Sequence, residues 1–419
     1  MTPNYADQTK PPKKINFFNR ISKKNKIKLF FAGLLIAIIA IFLIALSFWE
    51  FPLTSPIASN SLFEFINIEE ILKKNEASNK IVYGFLPYWN IEQVTIQPEL
   101  THLSYFGLNI SEDGTILTTN EDGTLHPGYA RLQSEKLLEL AQEMNRDNNQ
   151  FEITLVQFES KKIEQIVNNP EAHQNLITAL DSLLLAYPIS GINIDIEYNG
   201  SASEELRNNF ALLIETIRQH LNNKFGNVQL SVDVYASASN NRQIWDIPRI
   251  SRSVDYIIVM AYDFHRRSSP QAGPVAPLFS SNDSWSDDIH KNLREFLRYV
   301  PKEKILLGIP FYGYEWRVDS WSPYANTYPN SGVTASYQRV KKLLENQNLQ
   351  IETGWDKKAL CPYIIYVKDD HINVIYYENP ISIEYKLEYV KQLDLAGIAI
   401  WALGYEGQDR DLWDVVSKL

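Results

Sequence analysis

Eight short apolar runs recur between residues 81 and 402, and each has the length of a β-strand. The runs are Ile81–Pro87, Leu100–Leu108, Phe151–Phe158, Ile189–Glu197, Val228–Ala236, Val254–Tyr262, Lys304–Phe311 and Ala396–Ala402. Amphipathic stretches with helical spacing separate several of them, at Ser134–Asn145, Ala202–Leu221, Ile289–Tyr299 and Ile383–Leu393. Strands that alternate with helices form a parallel sheet, and eight such units predict an α/β fold, a closed (β/α)8 TIM barrel.

The fourth run has the most informative pattern, because its apolar and polar side chains alternate. As a strand it puts three isoleucines on one face and Asn193, Asp195 and Glu197 on the other. A buried parallel strand is normally apolar on both faces, and burying carboxylates without partners is costly. The pattern therefore indicates a functional site inside the fold. The alternative is an edge strand with one face in solvent.

The ends of the runs indicate where that site lies. Active sites of (β/α)8 barrels lie at the carboxyl ends of the strands. Glu197 ends the fourth run and Asp263 directly follows the sixth. We therefore expect both carboxylates at the same end of the barrel.

The segment between the seventh and eighth runs, about residues 312–379, is too long for a simple loop. It contains a helical pattern at Ala335–Asn346 and strand-like pieces at Tyr363–Lys368 and Ile372–Tyr377. We expect a small α+β insertion at the catalytic face, where it forms one wall of a cleft. The whole barrel domain then covers residues 80–419.

A different pattern precedes the barrel. Residues 29–49 form an uncharged run that is long enough to cross a bilayer as a helix. Residues 1–28 carry eight basic residues and one acid, and such a flank stays in the cytoplasm. We expect a cytoplasmic tail, a transmembrane signal anchor, a stalk over residues 50–79 and an extracytoplasmic barrel at the cell membrane. The alternative is a cleaved signal peptide, with Ala45-Leu46-Ser47 as the cleavage signal, which gives a secreted protein.

The composition of the chain limits the kinds of partner and cofactor that it can be expected to bind. The chain of 419 residues has a net charge of −10 although its first 28 residues are basic, so the exported part is strongly acidic. Nucleic acid is therefore not expected as a partner. The single cysteine, Cys361, excludes an intramolecular disulfide, and the seven histidines show no metal-ligand spacing. No Gly-rich phosphate loop follows any run. Together, these features predict neither a metal nor a cofactor.

The fourth run resembles the Asp-Gly-x-Asp-x-Asp-x-Glu signature of glycoside hydrolase family 18, the chitinase-type barrels. Four more segments agree in order along the chain, together spanning about residues 80–415. They are Gly84–Trp89 on the first run, Met260–Asp263 with Gly273–Leu278 after the sixth, Gly308–Gly313 on the seventh and Gly397–Gly404 on the eighth.

The resemblance implies how the site works. Glycosidic bond cleavage usually takes two carboxyl groups, whereas family 18 uses the 2-acetamido group of its own substrate. By resemblance Glu197 is the general acid and later the base, Asp195 binds the acetamide N–H, and Tyr262 donates to the acetamide oxygen. Substrate-binding roles are implied for six more side chains: Trp89, Asn193, Met260, Asp263, Tyr314 and Trp401. For Tyr262 and Trp401 the alternative is ordinary core packing.

Two positions depart from the signature. Ser190 stands where the family usually has its first Asp, and Asn193 where it has the middle one. The middle and last Asp can share a proton, so Asn193 removes that partner from Asp195. Asp233, a lone charge in the apolar fifth run, could supply the missing carboxylate. The resulting pattern is similar to the spore-cortex and peptidoglycan-directed N-acetylglucosaminidase branch of the family.

These observations predict a membrane-anchored extracytoplasmic glycosidase that cleaves β-linked N-acetylglucosamine-containing polysaccharide with retention of configuration. Peptidoglycan and chitin-like polymers both fit, and Asn193 favours peptidoglycan. The alternative is a catalytically weak carbohydrate-binding or wall-organising protein on the same barrel, since fold does not fix function. Glu197 favours the enzyme, because binding-only relatives commonly lose the acid.

Overall fold

The computed structural model describes residues 80–147, 149–239, 242–281 and 285–419. Asn79–Leu419 form one compact unit. The predicted tail, anchor and stalk of residues 1–79 lie outside the described residues. Within the described ranges, no helix has both the length and the apolar character needed to cross a membrane.

Parallel strands close into the predicted barrel. The first seven are β1 Ile81–Pro87, β2 His102–Asn109, β3 Gln150–Gln157, β4 Gly191–Ile196, β5 Gln229–Tyr235, β6 Tyr256–Met260 and β7 Ile305–Pro310. The eighth is Gly397–Trp401, numbered β13 because five other strands precede it. Each strand pairs in parallel with its sequence neighbour, and β13 closes the ring between β7 and β1. The eight-stranded barrel is confirmed.

Strand β4 is buried on both faces. It pairs with β3 on one side and β5 on the other, so it is not an edge strand. Ile194 is 0% exposed on the face toward the helices, and Asn193 and Asp195 are 0% and 4% exposed on the opposite face. The alternation in the sequence therefore reflects a polar column inside the barrel and not a solvent-facing strand.

Helices connect the strands, and side chains cap the N-termini of several of them. They are α1 Pro127–Leu132, α2 Glu135–Arg146, α3 Ser160–Asn168, α4 Pro170–Ala186, α5 Glu204–Lys224, α6 Ile247–Ile250, α7 Ile289–Phe296, α8 Tyr337–Leu344, α9 Pro380–Gln392 and α10 Asp411–Val416. Ser203 caps α5 by accepting a hydrogen bond from the Leu206 N–H. Helix α5 then buries Phe210, Ile214 and Ile217 at helical spacing.

The segment between β7 and β13 folds into a second sheet. Its strands are β8 Tyr312–Val318, β9 Val333–Ser336, β10 Ile351–Asp356, β11 Cys361–Lys368 and β12 His371–Tyr376. The sheet has the order β10-β11-β12-β8-β9 with antiparallel pairing. Only Phe311 separates β8 from β7, so this sheet rises directly from the carboxyl end of the barrel.

Candidate active site

The candidate site begins on the polar face of β4. Asn193 and Asp195 lie on that face within the strand, and Glu197 follows its last residue. The Glu197 N–H still donates to the carbonyl oxygen of Gln157 on β3 at 3.0 Å, which fixes the backbone there. The three side chains therefore form a column that runs from the barrel interior to its rim.

Asp233 lies beside the lower part of this column. The Nδ2 group of Asn193 donates to Asp233 Oδ1 at 2.8 Å and to Ser231 Oγ at 2.9 Å. Asp233 and Ser231 both belong to β5, and Asp233 is 2% exposed. A carboxyl group is thus present next to Asn193, although it comes from the neighbouring strand.

The buried carboxyl groups favour their protonated forms. Burial raises the pKa of Asp195 well above its usual value, and the nearby Glu197 and Asp233 raise it further. Burial likewise raises the pKa of Asp233, although the hydrogen bond from Asn193 lowers it. Deeper in the barrel, Glu152 accepts a hydrogen bond from the Tyr83 hydroxyl at 2.8 Å, and burial raises its pKa to about 7.

Two oxygen atoms of the column lack hydrogen-bond partners among the described residues. They are Asn193 Oδ1 and Asp195 Oδ1, and both are buried. Leaving a buried polar atom unsatisfied costs about 1–3 kcal/mol. Because Asp195 also lines a cavity, its free oxygen is an acceptor available to a bound donor such as an amide N–H.

Glu197 has a different environment from Asp195. Burial raises its pKa, the hydrogen bond with the Tyr235 hydroxyl and the charge of Arg266 lower it, and Asp263 raises it again. Tyr235 ends β5 and was not predicted as a site residue. A carboxyl group with a raised pKa at the mouth of a cavity is suited to proton transfer.

Asp263 is held by two tyrosines of the inserted sheet. The hydroxyls of Tyr312 and Tyr314 both donate to Asp263 Oδ1, the second at 2.9 Å. Asp263 has a positive φ of 61°, a conformation that Asp tolerates better than most residues. Tyr262, directly before it, is half-buried, and the burial of its hydroxyl raises its pKa well above the usual value, so the hydroxyl stays a neutral donor.

Two cavities meet at Glu197. The first, of about 320 Å³, is called the aromatic cavity here; it contains Asp195 and Asp233 beside a ring of aromatic side chains. Those side chains are Phe85, Trp89, Phe106, Phe158, Tyr262, Tyr312, Tyr314, Trp401 and Tyr405. Trp401 lies at the carboxyl end of β13 and packs edge-on against Phe106, with ring centroids 4.7 Å apart. Trp401 is therefore both part of the packing and part of the cavity wall.

The second cavity, of about 710 Å³, is called the polar cavity here. It is lined mainly by the ends of β5 and β6 and by the segments that follow β4, β5 and β6. These segments contribute Asn199, Ser237, Gln243, Arg266, Trp285 and Asp287. Glu197, Met260, Tyr262 and Asp263 line both cavities. Within the described ranges, no cluster of His, Cys, Asp and Glu could hold a metal ion.

The structure brings together eight of the nine predicted site residues at these cavities. Asn193 is the exception, because it is fully buried and lines neither cavity. Its amide contacts Asp233 and Ser231 and not the cavity, so a direct contact with substrate does not follow from its position. The residues missed by the sequence analysis, such as Tyr235 and Arg266, lie at strand ends and in loops, where hydrophobic periodicity carries no signal.

The sequence of this chain matches the model of a known protein family. The sequence model of Glycosyl hydrolases family 18 matches residues 75–406. A putative sporulation-specific glycosylase, YdhD of Bacillus subtilis, is 27% identical over 251 residues, 59% of this chain and 54% of that protein. A class V chitinase of Arabidopsis thaliana is 28% identical over 257 residues, 57% of this chain and 64% of that protein. The chain thus matches less than two thirds of the length of either relative.

Solved structures share the fold. The Group IV chitinase of Ostrinia furnacalis in complex with allosamidin superposes with a TM-score of 0.69 at 23% identity, covering 81% of this chain and 98% of that one. The spore cortex-lytic enzyme SleL of Bacillus megaterium superposes with a TM-score of 0.61 at 18% identity, covering 81% and 73%. At these identities the likeness concerns the fold alone.

Proposed function

Because the chain belongs to family 18 of the glycosyl hydrolases, we propose that it is a glycosidase that cleaves β-linked polysaccharide built from 2-acetamido sugars. One observation carries the proposal: Asp195 is buried in the wall of the aromatic cavity, and Glu197, two positions further along the chain, lies where the aromatic and polar cavities meet. The names of the relatives, glycosylases and chitinases, support the same substrate class.

The geometry favours catalysis assisted by the substrate. Asp195 and Glu197 are two positions apart on one face, roughly 6.5–7 Å along a strand, so both approach the same side of a sugar. The other carboxyls of the aromatic cavity already accept hydrogen bonds, Asp233 from Asn193 and Asp263 from two tyrosines. The sugar's own acetamide is then the best-placed nucleophile.

In the proposed reaction, the acetamide carbonyl oxygen attacks the anomeric carbon while Glu197 gives its proton to the departing glycosidic oxygen. An oxazolinium ion forms, and Asp195 accepts the hydrogen bond of its N–H. Tyr262 donates to the acetamide oxygen and holds it near the anomeric carbon. Glu197, now ionised, takes a proton from water, which attacks the anomeric carbon. Two displacements at that carbon retain its configuration.

The raised pKa of Glu197 supports its role as the acid. Burial keeps its proton on at a pH where an exposed glutamate is ionised, and a general acid must begin the reaction protonated. The aromatic cavity supports the rest of the proposal, because aromatic side chains pack well against the apolar faces of sugar rings. Trp401 would form the floor under the distorted sugar.

We also propose that the barrel works outside the cytoplasm, tethered at the cell membrane. This proposal rests on the sequence of residues 1–49, where a basic flank precedes an uncharged run of membrane-spanning length. A polymeric wall or extracellular substrate is consistent with that location.

The decisive test compares the full chain with its Glu197→Gln variant. Both are incubated with chitin oligomers and with purified peptidoglycan, new sugar ends are identified by mass spectrometry, and the first-formed anomer is read by proton NMR. We expect the unaltered chain to release products with retained configuration and the variant to release at least ~10²–10⁴-fold fewer. An inverted product contradicts the mechanism, and sugar binding without any product supports a binding protein instead.

A further inference from the structure

The polar cavity holds a cation that the proposed reaction does not use. We propose that Arg266 binds a carboxylate on the sugar that leaves, so that the chain is selective for a polymer in which a 2-acetamido sugar is linked to an acidic sugar. The inference rests on the proposed function and names the substrate class within it.

The leaving sugar can be assigned to the polar cavity from the residues that each cavity contains. Asp195 and Trp401 line the aromatic cavity and not the polar one, so the sugar that carries the reacting acetamide belongs in the aromatic cavity. Glu197 lines both, and a general acid must lie at the bond that breaks. The sugar beyond that bond therefore enters the polar cavity.

Arg266 is held in place, and its positive charge lowers the pKa of both Glu197 and Asp263. Its Nε–H donates to the carbonyl oxygen of Asp263 at 3.2 Å, its guanidinium carbon lies 5.9 Å from the ring centre of Tyr235, and its backbone N–H donates to Ser269 Oγ at 2.8 Å. Within the described part of the chain no carboxylate forms an ion pair with it. Arg249 and Arg339, by contrast, each pair with a glutamate.

No other cation competes for an anion among the described residues that line the polar cavity. His265 lines it, but burial lowers its pKa, and its Nδ1 is hydrogen-bonded to the carbonyl oxygen of Pro274 at 2.8 Å. Asp287 also lines it, and its Oδ1 accepts from Asn292 at 2.8 Å. Arg266 is thus the group to which an anionic ligand would bind.

The charge of Arg266 also affects the acid. It lowers the pKa of Glu197, although a general acid needs its proton. A carboxylate bound to Arg266 would offset that charge and favour the protonated form of Glu197. Because a guanidinium binds a carboxylate with two parallel hydrogen bonds, an acidic leaving sugar would be both oriented and activated for departure.

The test uses the full chain and three tetrasaccharides. One alternates N-acetylglucosamine with a sugar bearing a free carboxylate, the second is the same compound with the carboxyl converted to an amide, and the third is neutral chitotetraose. The measured quantity is the ratio of kcat/KM for the acid to that for the amide. We expect a ratio of about 10 in the unaltered chain, since a charged hydrogen bond has about that effect, and we expect it to fall with added salt.

Arg266→Gln should bring the ratio close to 1, and Arg266→Lys should give an intermediate value because charge remains without the planar fork. Arg267→Gln is the matched control: Arg267 is the adjacent arginine and does not line the polar cavity, although it shares a third cavity with Arg266, so the ratio should not change. Circular dichroism and the unfolding temperature check that each variant is folded.

A ratio near 1 in the unaltered chain, or an unchanged ratio in Arg266→Gln, overturns this inference. Failure of the proposed function looks different. In that case the unaltered chain cleaves none of the three tetrasaccharides, and the Glu197→Gln variant gives the same result as the unaltered chain.

Discussion

The carboxyl group of Asp195 has two acidic neighbours, and each affects it. Burial raises its pKa most, followed by the charges of Glu197 and Asp233. Asp233 is fixed by the amide of Asn193, which donates to it at 2.8 Å. An asparagine on β4 is thus paired with an aspartate on β5, which places a carboxyl group next to Asn193.

This arrangement predicts a pH effect for Asp233→Asn. The substitution keeps the size of the side chain and removes a group that raises the pKa of Asp195. Asp195 stabilises the positive charge of the oxazolinium ion when it is ionised, so the acid limb of the kcat/KM profile should move to lower pH. Glu152→Gln is the control, because Glu152 raises the pKa of Asp233 but is not a cause of the shift at Asp195. An acid limb at the same pH in Asp233→Asn would argue against this role.

Tyr235→Phe should change the alkaline limb of the kcat/KM profile. The Tyr235 hydroxyl bonds to Glu197 and lowers its pKa. Without that bond Glu197 keeps its proton to higher pH, and a general acid is active while protonated. The alkaline limb of the kcat/KM profile should therefore shift to higher pH. A shift to lower pH would mean that Glu197 does not set this limb.

Asp233 could be suspected from the sequence and Tyr235 could not. A charge inside an otherwise apolar strand is unusual, so Asp233 stands out, although only the structure gives the strand phase that places it next to Asn193. A tyrosine that ends an apolar strand is ordinary. Its hydroxyl reaches Glu197 because β5 lies beside β4, and that proximity depends on barrel closure and not on local pattern.

At the scale of elements, the inserted sheet supplies side chains to the site from strand β8. Tyr312 and Tyr314 are two positions apart, so both hydroxyls lie on one face and reach Asp263. The length of the segment indicated an insertion, and its helix and two of its strands could be predicted from periodicity. The pairing of β8 with both β9 and β12 could not, because antiparallel pairing across such distances depends on tertiary packing.

Tyr314→Phe tests whether the inserted sheet takes part in catalysis. The substitution removes one hydrogen bond to Asp263 and leaves the ring in the aromatic cavity. A hydrogen bond to a charged group contributes about 1.5–3 kcal/mol, so kcat/KM should fall roughly tenfold or more. Tyr363→Phe, on β11 of the same sheet, is the matched control and should keep the unaltered kcat/KM. Equal values in the two variants would show that the contact with Asp263 has no effect on turnover.

At the scale of the whole molecule, an acidic barrel follows a basic, apolar N-terminal segment. The barrel could be predicted because eight strands of similar length alternate with helices, and local pattern alone is sufficient for that. The two cavities could not, since their walls are built from loops and strand ends that are far apart in sequence. Residues such as Trp285 and Arg266 are brought to one cavity only by the closed sheet.

The predicted membrane anchor also concerns the whole molecule, because it determines on which side of the membrane the barrel lies. Residues 29–49 have no charge and follow a flank of eight basic residues, so the flank should remain in the cytoplasm and the barrel should lie outside. Protease added to intact cells should remove the barrel and leave a short membrane-bound fragment, detected with a tag at the N-terminus. Cells opened with detergent provide the control, in which the tag is also digested. A barrel that resists protease in intact cells would contradict the orientation. A mature chain that begins near residue 48 would instead show that a signal peptide is removed, because a retained anchor requires the uncharged run to stay attached.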